Sequence, residues 1–212
     1  MKNKMGTRLA AYFLGFLIMT LGIAISVKSN LGVSPVSSIP YTMTCVLGIE
    51  MGKATIIFHI LLVLLQIIIL RKDFQLKNLL QIPVGVVFGY FTTFGNYLMS
   101  LVHVPDLLPV RLGMMLISTA LIAFGIFLYV PANLIPLAGE GAMLAGAQKT
   151  GVEFSSIKLM FDISMVGISL ITCLIVLHSL GSVGIGTVAA AFLVGTELKG
   201  IRKIQNIIKK KR

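Results

Sequence analysis

Leu9 to Val27 is an apolar run without a single charged residue, and Arg111 to Val130 carries a charge only at its first position. Each run is long enough to cross about 30 Å of hydrocarbon as a helix. A chain containing such runs must bury them in lipid or in a very large core, and 212 residues do not supply the second. The charge content agrees. Only 12% of residues are charged, where a soluble domain carries roughly 25%. The expected class is an all-α integral membrane protein.

The formal charge of +11 is explained by its placement. Lys199, Arg202, Lys203, Lys209, Lys210, Lys211 and Arg212 close the chain, with Ile201, Ile204, Ile207 and Ile208 among them at helical spacing. This is a basic amphipathic tail suited to an anionic lipid surface. No base-reading motif accompanies the charge, so nucleic acid is not an expected partner. Cys45 and Cys173 lie in apolar segments at a spacing that suits neither zinc nor a disulfide framework. Lys2, Lys4 and Arg8 precede the first apolar run as in a signal peptide, but no small-residue cleavage pattern follows. The run is read as a retained span.

Hydropathy with Gly, Pro and charge punctuation predicts six spans, near 9–28, 52–70, 81–101, 111–130, 155–177 and 181–198. Two shorter segments, 31–48 and 134–150, are rich in Gly, Pro and Ser and read as re-entrant or interfacial helices, or as full crossings. Basic residues concentrate on the cytoplasmic side of membranes. Six spans place Lys2, Lys4, Arg8, Arg71, Lys72, Lys77, Lys149 and the tail inside, leaving Lys28, Lys53 and Arg111 outside. Two extra crossings would turn Arg71, Lys72 and Lys77 outward. Six spans with both termini cytoplasmic is the better solution.

The second half repeats the first. Gly22, Asn30, Leu31, Gly48, Glu50 and Phe58 match Gly125, Asn133, Leu134, Gly151, Glu153 and Phe161, each 103 positions later (125 minus 22, and so on). Gly85 and Phe91 match Gly186 and Phe192 at a spacing of 101. Residues 1–104 and 105–198 are then two units and 199–212 the tail. A unit of three spans is odd in number, so its copy inserts the other way up. Inverted-topology 3+3 repeats of this kind build many secondary transporters, with the site near the midplane.

The segment "GVSPVSSIP" turns at Gly32 and Pro35, and Ser34 or Ser37 is placed to cap a helix starting near Pro35. Such a terminus at membrane depth offers N–H groups to an anionic or polar ligand. Its counterpart holds Pro136, Gly139, Glu140 and Gly141; backbone this irregular is tolerated in the membrane only where protein or a water-filled cavity shields it. Ionisable residues within spans cost roughly 2.5–3.5 kcal/mol on insertion scales and mark function or pairing. His59 and Asp162 are repeat equivalents, as are Thr55 and Lys158 four residues earlier. Both His59 and Asp162 lie about 12 Å from their own entrances at 1.5 Å per residue. They form a candidate proton-coupling or solute-binding pair, against which stands a structural Lys158–Asp162 pair at i,i+4. Asn96 and Glu197 are equivalent at a spacing of 101, and "GYFTTFGNY" makes one helix polar enough to line a cavity.

The stretch "LGVSPVSSIPYTMTCVLGIEMGKATIIFHILLVLLQIIILRK", with Gly151–Asp162 of the second half, resembles the YczE/YyaS/YitT group of bacterial multispanning membrane proteins. The likeness lies in the GxSP turn, a short helix ending at a glycine, and a small-residue start to the next span. It implies a location in the bacterial inner membrane and a transport role. Where the YczE branch continues its turn with Trp-Asp, this chain has Val36 and Ser37, so that branch's carboxylate has no counterpart.

The function expected is a small secondary transporter or exporter of a small polar or amphipathic solute, working by alternating access. Its pathway would use Asn30, Ser34, His59, Asn96, Asn133, Glu140, Lys158 and Asp162. No hydrolytic, redox or nucleotide-binding motif is present, so neither an enzyme nor a cofactor is expected. A homodimer suits a chain this small. Competing readings are a substrate-binding subunit of a partner-driven transporter, a channel with paired half-helices, and a non-transporting sensor or assembly factor.

Overall fold

The computed structural model describes residues 5–210, without the side chains of 202 and 204–210. Lys2, Lys4, Lys211 and Arg212 therefore lie outside the described residues, as do the side chains of Arg202, Ile204, Ile207, Ile208, Lys209 and Lys210. The described residues form eight helices and no strand. They are α1 (Met5–Ser29), α2 (Pro35–Leu47), α3 (Met51–Leu70), α4 (Gln81–Ser100), α5 (Leu108–Tyr129), α6 (Ala138–Thr150), α7 (Phe154–Leu177) and α8 (Ile185–Lys210). Helices α1, α3, α5 and α7 are long and apolar enough to cross a membrane. The protein is a membrane protein built of helices. Helices α4 and α8, of 20 and 26 residues, have the length but a more polar composition.

The two short helices have the same boundaries once 103 is subtracted. Both are 13 residues long, and each ends at a left-handed glycine, Gly48 (φ 68°) and Gly151 (φ 71°). A side chain there would be strained by the backbone, which is why the helix stops at that residue in both copies. Asn30 (φ 53°) and Asn133 (φ 50°) make the corresponding reversals after α1 and α5. Asparagine is among the few residues that tolerate this conformation. Ser34 does occupy the position before α2, but its side chain makes no cap bond. Its hydroxyl instead donates to Ser37 Oγ at 3.0 Å.

Helices α1 and α5 pack antiparallel as the central pair. Gly15, Gly22 and Gly125 let them touch: a Cβ on Gly125 would stand 2.6 Å from Gly15 O, and one on Gly22 2.9 Å from Ser118 O. Ser118 Oγ donates to Gly22 O at 2.7 Å. Lipid supplies no hydrophobic drive for helix association, so close backbone approach and hydrogen bonds have to hold such a pair. Two arginines close its ends. Arg8 Nε donates to Ala132 O (2.9 Å) beyond the end of α5, and Arg111 Nε donates to Ser29 O (2.9 Å) at the end of α1. Both donors and both acceptors are 103 apart. Each cation meets carbonyls that the terminus leaves unpaired, at the negative end of the helix dipole.

Around this pair the short helices cross over. Helix α2 packs on α7 and α6 packs on α3, each leaning on the other half of the chain. Helix α4 packs on α1 and α8 on α5. The pattern breaks once: α3 and α4 pack tightly, whereas among the described residues α7 and α8 do not pack along each other. An aromatic column fills the centre, with Phe16 against Phe88 (5.4 Å) and Tyr129 (5.1 Å), and Tyr12 against Phe16 (4.4 Å).

Gly125→Val should lower the thermal unfolding midpoint in detergent, at a cost of about 1–3 kcal/mol for overpacking. Gly113→Val, on the same helix where a Cβ meets nothing within 4 Å, should leave the midpoint unchanged. Equal behaviour of the two variants would show that the α1–α5 contact does not set stability.

Candidate functional site

Gln66 interrupts the aliphatic run of α3, and Gln81 opens α4; both side chains are 1% exposed. A primary amide in an apolar span must find partners, because an unpaired buried polar group costs several kcal/mol. These two find each other. Gln66 Nε2 donates to Gln81 Oε1 (2.8 Å), and Gln81 Nε2 donates to Gln66 Oε1 (3.2 Å). Gln66 Nε2 also donates to Ala138 O (3.2 Å) at the start of α6. Gly141 makes this approach feasible, since a Cβ on it would lie 2.5 Å from Gln81 Oε1. The amide pair floors a recess of about 470 Å³ between α3, α4 and α6. Its rim carries Asp73, Gln75, Lys77, Asn78 and Gln148, and Asp73 also faces Lys149 at 3.9 Å.

A smaller recess of about 210 Å³ lies between α2 and α7, with Met43, Val46, Ile168 and Ser169 on its lining. Ser169 and Ser182 lie 103 and 101 positions after Gln66 and Gln81, and Ser38 lies 103 before Gly141. Ser169 Oγ donates to Ser38 Oγ (3.0 Å), and the hydroxyls of Thr42 and Ser182 bond at 2.6 Å. Cys173 is buried beside Thr42 and Ser182, at 3.7 and 3.8 Å. It is a thiol among hydroxyls, and Cys45 is likewise free.

Of the residues singled out from the sequence, two are in contact. Lys158 Nζ bonds Asp162 Oδ2 at 2.5 Å, and Glu140 stands in the first turn of α6, which packs on α7. Asp162 Oδ1 and the Tyr129 hydroxyl are buried without a hydrogen-bond partner among the described residues. His59 stands apart. Its ring is 4% exposed, stacks on Phe88 at 5.6 Å, and sits over Gly85, whose Cβ would come within 2.6 Å of Nδ1. No hydrogen bond or ion pair joins His59 to Asp162. Asn30 and Asn133 are exposed at the reversals after α1 and α5, and Ser34 is half-buried before α2. Asn96 donates to Thr92 O on its own helix at 2.9 Å. Its equivalent Glu197 accepts from Thr119 Oγ1 at 3.1 Å, with Oε2 buried and unpaired among the described residues.

Gln66 and Gln81 were absent from the residues picked out in the sequence. The signal was available in "LLVLLQIIIL", where a lone amide in a lipid-length run requires a buried partner.

The model of a family of unknown function, DUF6198, matches residues 6–203. The chain belongs to this family. It is 25% identical over 203 residues to the uncharacterized membrane protein YczE of Bacillus subtilis (strain 168), covering 94% of this chain and 87% of that protein. No solved structure matches it. The DUF6198 match runs from α1 into α8 and is not confined to the GxSP turn.

The amide pair gives a double-mutant cycle. Gln66→Leu should destabilise the protein by about 1–3 kcal/mol, because the Gln81 amide is left buried and unpaired. Gln66→Leu with Gln81→Leu should recover part of that loss, as coupled neighbours do. Additive losses in thermal unfolding would mean the two amides do not depend on each other.

Proposed function

We propose that this member of DUF6198 is a secondary transporter of a small polar solute, built as two inverted three-span halves that alternate access across the bilayer. The observation that carries the reading is the reciprocal contact of Arg8 with Ala132 O and Arg111 with Ser29 O. Equivalent residues that exchange roles across antiparallel helices imply a two-fold axis perpendicular to those helices. In a bilayer that axis lies in the membrane plane, the arrangement found in inverted-repeat transporters. The crossed packing of α2 on α7 and α6 on α3 obeys the same relation.

Alternating access requires the halves to differ at any moment, and the break in packing supplies a difference. Gly52 sits against Gly89 O and Thr93, and His59 over Gly85, so α3 and α4 are closed on each other. The matching positions on α7 are Ser155 and Asp162, and Ser155 is exposed. On α8, Gly186 rests instead on the α1–α2 turn, its N–H donating to Leu31 O at 2.7 Å. One half is shut where its copy is open. Exchange of these two conditions would move Asp162, with Lys158 and Glu140, from one environment to another. Both termini are taken as cytoplasmic, which puts the recess rim bearing Lys77 on the inner face.

The first test is flux. Asp162→Asn should fold, since the amide keeps the shape of the carboxylate and an oxygen that accepts from Lys158, yet its solute uptake in liposomes should fall to the level of protein-free vesicles. Uptake equal to wild type would remove Asp162 from the mechanism. The second test is cross-linking. Ser155→Cys with Ala190→Cys, the counterparts of Gly52 and Gly89, should form a disulfide in membranes under mild oxidant and lock uptake. Failure to cross-link while uptake persists would contradict an exchange between the α3–α4 and α7–α8 pairs.

A further inference from the structure

The floor formed by Gln66 and Gln81 can be compared with matching positions elsewhere in the chain. Ser169 and Ser182 stand 103 and 101 positions after Gln66 and Gln81, where Ser169 bonds Ser38 and Ser182 bonds Thr42. Short hydroxyls serve there, so long amides, whose burial is costly unless all their bonds are made, are a distinct feature of the junction of α3, α4 and α6. These amides also retain bonding capacity. Gln66 Nε2 uses both hydrogens, on Gln81 Oε1 and Ala138 O. Gln81 Nε2 uses one, on Gln66 Oε1. One hydrogen on Gln81 and lone pairs on both carbonyl oxygens are left over, at the floor of a recess of about 470 Å³, a size typical of small-molecule sites.

The surroundings restrict the chemistry. Gln75, Asn78 and Gln148 add three amides to the lining, while the charged side chains on it are one of each sign, Lys77 and Asp73. Asp73 is already met by Lys149 at 3.9 Å, so the polar groups left free to bond a ligand on this lining are mainly amides. Amides both give and accept hydrogen bonds.

We propose that this recess binds a small neutral solute bearing both donors and acceptors, a polyol or a primary amide, with Gln66 and Gln81 bonding to it and Gln148 forming one wall. As the cargo of a carrier, this solute rests on the transport reading above; as a ligand, it does not.

The test uses three probes of one carbon length, succinamide, succinate and 1,4-diaminobutane, with xylitol as the polyol. Purified full-length protein in detergent is titrated with each, reading the thermal midpoint and the heat of binding. A ligand of the folded state raises the midpoint with concentration. Succinamide and xylitol should do so, and the two charged probes should not. Gln66→Leu should weaken succinamide binding about tenfold, the loss of a hydrogen bond to a buried amide. Because that substitution also weakens the fold, Gln148→Ala on the exposed side of α6 gives a second reading, with about threefold weaker binding expected. The inference is overturned if none of the four binds, if a charged probe binds better than succinamide, or if both variants bind as wild type does. Binding without liposome uptake would sink the transport reading and leave the site intact; uptake of a charged solute without binding of these neutral probes would do the reverse.

Discussion

The antiparallel contact of α1 with α5 is the interaction on which the rest of the structure depends. Helices α4 and α8 pack on this pair directly, and α3, α2 and α6 pack on it through them. In water two apolar helices would be pressed together by solvent; in lipid they are not, because acyl chains solvate leucine as well as leucine does. The contact must therefore be specific. Three glycines at the crossing bring backbone to backbone, Ser118 adds a hydrogen bond to Gly22 O, and the arginines tie each helix start to the other's end. Guanidinium groups suit the last task, since they remain charged and hold several donors in a fixed fork.

A pair of this kind also explains why the short helices lean on the opposite half. The chain leaves α1 at Asn30 and α5 at Asn133, at opposite ends of the central pair, so α2 and α6 start from opposite ends. The elements waiting beside those ends are α7 and α3, which come from the other copy. Crossed packing is thus a geometric outcome of antiparallel copies, and it places the start of α6 on the Gln66 amide and Ser38 of α2 on Ser169.

Much of this was legible in the sequence because it is local. The first five long helices begin and end within a few residues of the hydropathic boundaries, α2 starts at Pro35, and Gly48 and Gly151 end the short helices, since these features follow from chain geometry and transfer energy; α8 instead runs on to Lys210, through the stretch read as a separate tail from residue 199. The pairing of Lys158 with Asp162 was legible for the same reason, being an i,i+4 neighbour. The contacts that define the candidate site were less so. Gln66 and Gln81 are close in sequence but meet only after α4 folds back on α3, and Gly141 reaches them from the other half of the chain. The expected pairing of His59 with Asp162 is not formed: the His59 ring packs between Phe88 and Gly85, while Asp162 bonds its helix neighbour Lys158. Ser34 was expected as a cap from its position alone, yet Ser37 offered its hydroxyl a nearer partner.

Positions 103 or 101 apart also separate what the fold needs from what it does not. Among those alike in kind, Arg8 with Arg111, Asn30 with Asn133 and Gly48 with Gly151 serve termini or turns, and Gly22 with Gly125 serves the helix crossing. Among those that differ, His59 against Asp162, Gln66 against Ser169 and Gln81 against Ser182 are buried or half-buried. If both halves had only to pack, the same small set of side chains would serve at these places. The divergence instead concentrates hydrogen-bonding groups in one recess and ionisable groups beside α7, giving the two halves different chemistry on one frame. On the transport reading proposed above, a frame with unequal contents would let its halves take turns and yet do different work.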